Sequence, residues 1–200
     1  MGSQIGSKEK MLSRIYLMQH TTRFNNLPVI NRQNIAEHSN GVSLLCLLIG
    51  KEISEKLREN RFPLFLDYKE ASLYANFHDY EETVSTDLPL PLKRKLGSAV
   101  MSAIDEIISE EIKDDYEAFG FNEESWDQAK SDRSTEWQLL KLCDYLELLL
   151  WTFNNKNQLS EGNYKEVLHT CKTLIMSYDI HKYSSTVLNI LEKDEFTFTY

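Results

Sequence analysis

The chain has 200 residues, of which 42% are hydrophobic, enough for one domain with a substantial buried core. Its net charge of -9 and pI near 5.1 exclude a basic protein that coats duplex nucleic acid, so no polymeric nucleic acid is expected as a ligand. Cys46, Cys143 and Cys171 lie far apart without a Cys-x-x-Cys pair, no apolar run reaches the roughly 18 to 20 residues of a membrane span, and residues 1–7 lack signal-peptide architecture; the expectation is a cytoplasmic protein with reduced thiols and no membrane partner.

In chain order the pattern is helical almost throughout. Residues 8–20 carry Met11, Leu12, Ile15 and Met18 near helical period, and Arg23 to Pro28 form a turn-rich connection. Asn34 can cap a long helix in which Ile35, Val42, Leu45, Ile49, Ile53 and Leu57 recur on one side, and His38 falls on that inward face. Arg61-Phe62-Pro63 breaks this helix. Asp67 starts the next, which ends near Phe77-His78-Asp79, and a continuation through Glu82 would bring that carboxylate to the same face. The prolines of Leu88-Pro89-Leu90-Pro91 predict non-helical backbone up to Leu90.

Residues 92–114 resume helical period, and the acidic run from Asp114 to Gly120 predicts a solvated loop. Residues 134–154 form the other strongly apolar helix, with Asp144 in its middle, where a carboxylate must be paired or bound to a metal. Helices are expected over residues 164–176 and 183–191, and residues 195–200 read as a short strand or a frayed end.

His38, His78, Asp79 and Asp144 thus give two imidazoles and two carboxylates from three helical segments, with no thiolate among them. Such a set suits a divalent transition metal with positions left open for water and substrate. A cation there acidifies its water and polarises a phosphoryl oxygen, and Glu82 is the nearest side chain for proton transfer. Arg23 has the geometry for bidentate phosphate binding. Phe24 reads alternatively as a core aromatic, Asp87 as a turn residue, and Glu37 and Glu147 as solvated or standing behind the ligands. His20, His169 and His181 have no partner at ligand spacing, and Glu81 and Lys93 read as exposed.

The order of histidine, His-Asp pair and distant aspartate resembles the HD-domain phosphohydrolase superfamily. Arg23-Phe24, Asn34 to Ser39, His78-Asp79 with Glu82, Asp87-Leu88-Pro89, and Leu142-Cys143-Asp144 with Leu146 are similar to bacterial 5'-deoxynucleotidases and the related phage deoxynucleotide phosphohydrolases. The resemblance covers residues 10–155 and implies a single all-α HD domain over residues 1–200, with a five- or six-helix core and C-terminal helices at 160–192. It implies metal ligands His38, His78, Asp79 and Asp144, catalytic Glu82 and Asp87, and substrate contacts from Arg23, Phe24 and Asp87. The implied cofactor is a divalent cation (cobalt, manganese, magnesium or zinc). The implied reaction is hydrolysis of the 5'-phosphoester of deoxynucleoside monophosphates, with release of triphosphate from dATP as the alternative. The expected partner is a deoxynucleotide, and a homo-oligomer, dimer or higher, is compatible with the pattern. The family commonly has tryptophan where this chain has Phe24, which loosens the expected selection for deoxyribose. A non-catalytic regulatory module with a structural metal would need neither Glu82 nor Asp87. Hydrolases of guanosine tetraphosphate typically follow the His-Asp pair with Glu-Asp, whereas Glu82 precedes Thr83 here, and the Gly-Tyr-Pro element of cyclic-dinucleotide phosphodiesterases is absent.

Overall fold

The computed structural model describes residues 7–24, 29–30, 32–62, 65–86, 88, 90–120 and 123–196. These residues form an all-α architecture: α1 (Ser7–Met18), α2 (Ile35–Glu59), α3 (Tyr68–Ala75), α4 (Glu82–Ser85), α5 (Leu90–Leu96), α6 (Ser98–Phe119), α7 (Glu123–Ser131), α8 (Thr135–Asn154), α9 (Glu161–Met176) and α10 (Ser185–Leu191). Helix α2 starts where Asn34 accepts from the Glu37 N–H at 2.8 Å while Glu37 returns a carboxylate to the Asn34 N–H at 3.1 Å, a complete capping box. The apolar positions of α2 recur every three to four residues, so Ile35, Val42, Cys46, Ile49, Ile53 and Leu57 bury one face against α3 and α8.

Close approach of these helices depends on Gly50. A Cβ there would lie 2.3 Å from Tyr68 Cβ and 2.6 Å from Leu139 Cδ2, both inside van der Waals contact, so the crossing of α2 with α3 and α8 has room for no side chain at that point.

Three expectations need correction. The acidic run at residues 114–120 is the last turn and a half of α6, because Asp115 turns inward to Arg14 of α1 at 2.6 Å, and the helix stops only at Gly120 with φ of 69°. The helix expected over 92–114 is two, α5 and α6, divided by Gly97 with φ of 78°. Helix α5 begins at Leu90 with Pro91 in its first turn, where a missing N–H breaks no helical bond. Helix α7 had no forecast. Most of the tail at residues 195–200 lies outside the described residues.

The C-terminal helix is pinned from α2. Glu52 accepts from Ser184 Oγ at 2.7 Å, from Ser185 N and Oγ at 2.7 and 2.6 Å, and more weakly from Thr186 N at 3.4 Å, satisfying N–H groups that open α10. Slight burial works against ionisation, but the bonds from Ser185, Ser184 and Thr186 pull the Glu52 carboxyl down to about 2. A depressed folded-state pKa contributes stability that is fully present above the unfolded value and is lost as pH falls through the folded one. Glu52→Gln should therefore lower the thermal midpoint at neutral pH by an amount equivalent to about 1 kcal/mol, as loss of a helix cap does. The gap to wild type should close as pH falls from about 4.5 towards 2 in a pH series of melting curves; a gap that does not narrow would refute the assignment.

Candidate metal centre

The chain enters the site through a short antiparallel pairing. Thr22 bridges Asn34, Arg23 N–H donates to the Gln33 carbonyl at 2.9 Å, and Ile35 N–H donates to Thr21 at 3.0 Å, so the segment after α1 lies along the start of α2. His38 follows one turn later on the buried face and is 0% exposed.

The His-Asp pair sits just past the end of α3 at Ala75, close to where the sequence places that helix end, and the helix does not continue through Glu82. Past Ala75 the backbone tightens into three-residue turns, with Phe77 N donating to Tyr74, Tyr80 N to Phe77 and Glu82 N to Asp79 at 3.0 Å each. The Ala75 carbonyl, which an α-helix would give to Asp79 N–H, instead accepts from His78 Nδ1 at 2.7 Å. Tyr80, 1% exposed, locks the turn by donating to Asp115 Oδ2 at 2.9 Å, the oxygen that Arg14 also holds at 2.6 Å. Helix α4 then starts afresh at Glu82, which is 8% exposed.

Four side chains converge. His38 Nε2 lies 3.2 Å from His78 Nε2 and 3.2 Å from Asp144 Oδ1, and His78 Nε2 is 3.9 Å from the same oxygen. Asp79 reaches both rings, with Oδ2 3.6 Å from His38 Nε2 and Oδ1 3.5 Å from His78 Nε2. Both Nδ1 atoms are occupied: that of His78 donates to Ala75, and that of His38 donates to Glu147 Oε2 at 2.7 Å. The two Nε2 lone pairs therefore face each other, an arrangement that needs a proton or a cation between them. Two atoms each about 2.1 Å from one cation stand roughly 3.0 to 3.4 Å apart, so the spacing around His38 fits such an ion. His38, His78 and Asp144 could hold a divalent metal.

The charges respond to this crowding. Burial and Arg23 press His38 towards neutrality, yet its bonds to Asp144 and Glu147, with Asp79 nearby, raise it to about 9. Burial lowers His78. Burial also opposes ionisation of Asp144, but Lys141, 2.6 Å from its Oδ2, and then the two histidines hold the carboxyl well below its usual range.

Arg23 arrives from the other side. Its side chain is 15% exposed, its Nη1 is 4.0 Å from Asp79 Oδ2, and that buried nitrogen makes no hydrogen bond. Phe24 has φ of 60°, a conformation costly for an aromatic residue, and stacks on Trp151 at 4.2 Å. Asp87 lies outside the described residues. Glu81 and Lys93 both line a cavity of about 510 Å³ beside His78 and Asp79, and Lys93 is only half-exposed.

Sequence reasoning missed Lys141 and Gln33 and left Glu147 undecided. Lys141 and Glu147 stand three residues before and after Asp144, a spacing that puts them on its helix face and could have flagged both. Gln33, whose Nε2 meets Glu147 Oε1 at 2.6 Å, carried no such signal because its partner is remote in sequence.

A family model described as 5'-deoxynucleotidase YfbR-like matches residues 10–191. A 5'-deoxynucleotidase of Vibrio atlanticus is 25% identical over 179 residues, 84% of this chain and 87% of its own. Among solved structures, a conserved hypothetical protein from Pyrococcus furiosus aligns with a TM-score of 0.70 at 20% identity, covering 92% of this chain and 97% of its own. The cyanophage S-2L HD phosphohydrolase DatZ, bound to dA and one catalytic Zn2+ ion, aligns with a TM-score of 0.52 at 18% identity, covering 93% and 99%. The likeness to these two structures shows the fold.

We propose Asp79 as the fourth donor, because its two oxygens approach both rings. Asp79→Ala should lose bound metal and turnover together, and elemental analysis showing full occupancy in a normally active variant would remove Asp79 from the ligand set.

Proposed function

The chain belongs to the YfbR-like 5'-deoxynucleotidase family of HD-superfamily phosphohydrolases and is a nucleotide phosphohydrolase, and from that premise we propose that it cleaves the 5'-phosphoester of deoxynucleoside monophosphates to deoxynucleoside and phosphate. The observation that carries the reading is Arg23, whose buried Nη1 makes no hydrogen bond, beside the clustered donors. A phosphate oxygen would supply the missing acceptor. When bound, a divalent cation supplies Lewis-acid polarisation and an acidified water. In the proposal His38, His78, Asp79 and Asp144 hold that ion, Arg23 clamps the phosphate, and Glu82 passes a proton at the reacting oxygens. Phe24 lies against the sugar, and Asp87 attends the sugar and leaving group.

Hydrolysis of dATP to triphosphate is the second reading, and a cavity lined by Lys93, Lys130 and Lys141 favours it. Glu81, Asp105 and Asp127 line the same cavity and offset those lysines, while Lys141 is already paired to Asp144. A triphosphate, with several more negative charges, gains little there.

Separate incubation of the metal-loaded protein with dAMP and dATP, with products separated by chromatography, tests the choice. Free phosphate and deoxyadenosine from dAMP are expected. Triphosphate from dATP with dAMP untouched would replace the first reading by the second.

Glu82→Gln keeps size and polarity but removes proton exchange, so kcat should fall about a hundred- to ten-thousand-fold with metal content retained. Normal turnover by that variant would strip Glu82 of the role.

A further inference from the structure

We propose that Glu147, steadied by Gln33, is a positioning residue that holds His38 with its Nε2 bare towards the other donors. The inference rests on the reading above only in taking His38 as a ligand of a divalent cation. His38 is fully buried, and its imidazole can present either nitrogen to the centre by a ring flip. What decides between the two is the partner on the far side. Glu147 Oε2 stands 2.7 Å from His38 Nδ1, and an ionised carboxylate can only accept, so the ring proton is kept on Nδ1 and the lone pair on Nε2.

Glu147 is itself fixed from two directions. Its other oxygen accepts from Gln33 Nε2 at 2.6 Å. Its stem fits against Gly41, where a Cβ would come within 3.1 Å of Glu147 Cγ and 3.4 Å of Oε1. One turn of α8 thus presents Asp144 to the centre and, three residues on, the carboxylate that aims the opposing histidine. Glutamine is a poorer replacement: it removes the negative charge behind the imidazole, and when its one oxygen accepts from His38 Nδ1–H its NH2 meets the Gln33 NH2 unless that amide also turns over.

Partners that orient metal-ligating histidines typically govern metal affinity by 10- to 100-fold. The test titrates metal-free wild type, Glu147→Gln, Glu147→Asp and Gln33→Leu with Zn2+ against a chelating dye, with circular dichroism to verify folding. Glu147→Gln should bind about 10- to 100-fold more weakly. Glu147→Asp should be comparably weak, because it keeps the charge but falls a methylene short, and Gln33→Leu should lie between these and wild type. Unchanged affinity in Glu147→Gln overturns the proposal, and so does wild-type affinity in Glu147→Asp, which would mean that charge suffices without reach. Should the Glu147 variants fail to fold, long-range proton–nitrogen NMR of the zinc-loaded wild-type protein decides: a His38 proton on Nδ1 is expected, and one on Nε2 overturns the assignment. Neither measurement reads turnover. A protein that takes up Zn2+ normally and cleaves no deoxynucleotide would refute the substrate reading alone, whereas one that takes up no Zn2+ refutes the positioning role along with the metal centre.

Discussion

Two imidazole nitrogens held 3.2 Å apart, each with its other nitrogen already bonded, are the constraint on which the remaining structure turns. Lone pairs at that distance repel, and burial removes the water that would otherwise screen them. The fold tolerates the arrangement because Asp144 and Asp79 stand within 4 Å and favour positive charge between the rings. A cluster of this composition is poor as a stabilising element: buried polar groups of like kind add strain unless something joins them. Its retention at the centre of a helical core is therefore better explained by ligand binding than by folding.

Holding it there takes support from well outside the donors. The turn that carries His78 and Asp79 is irregular, and no helical ladder fixes it. Tyr80 performs that task by bonding to Asp115, which Arg14 neutralises from α1, while Arg14 also holds Glu111 at 2.8 Å. The side chains of Arg14 and Asp115 are 7% and 4% exposed, so removing Arg14 leaves the Asp115 carboxylate buried without its cation, typically a loss of about 3 to 5 kcal/mol, whereas removing Asp115 still leaves Arg14 its bond to Glu111. Helix α1 and the last turns of α6 are thus tied to the site although neither supplies a donor.

This also accounts for what the sequence made legible and what it did not. His38 and Asp144 could be placed because each interrupts a strong apolar helical period, and an inward polar residue is visible against such a background. Asn34 and Asp67 announced their helices by local capping, which depends on residues three positions away. One failure is a contact at long separation. Asp115 looked solvated within an acidic run because Arg14, its partner, lies 101 residues earlier. The helix from Asp67 ends at Ala75, a few residues before the His78-Asp79 pair where the sequence places its end, because a side chain, His78 Nδ1, takes a carbonyl that the helix would otherwise use. Gly97 and Gly120 mark helix ends through positive φ, and only the latter fell where a break was expected.

The two cations beside the donors are not equivalent, and the difference bears on what the centre receives. Lys141 is committed: its ammonium lies 2.6 Å from Asp144 Oδ2 and leaves Oδ1 to face the histidines. Arg23 pairs only loosely with Asp79, its Nη1 lying 4.0 Å from Oδ2 and making no hydrogen bond. A buried Nη1 without a hydrogen bond is costly to maintain. The backbone bond from Arg23 N–H to Gln33 fixes where the arginine's main chain lies beside the start of α2. In the proposed reaction a single phosphoryl group spanning Arg23 and the donor cluster would supply the acceptor that Nη1 lacks without drawing on Lys141.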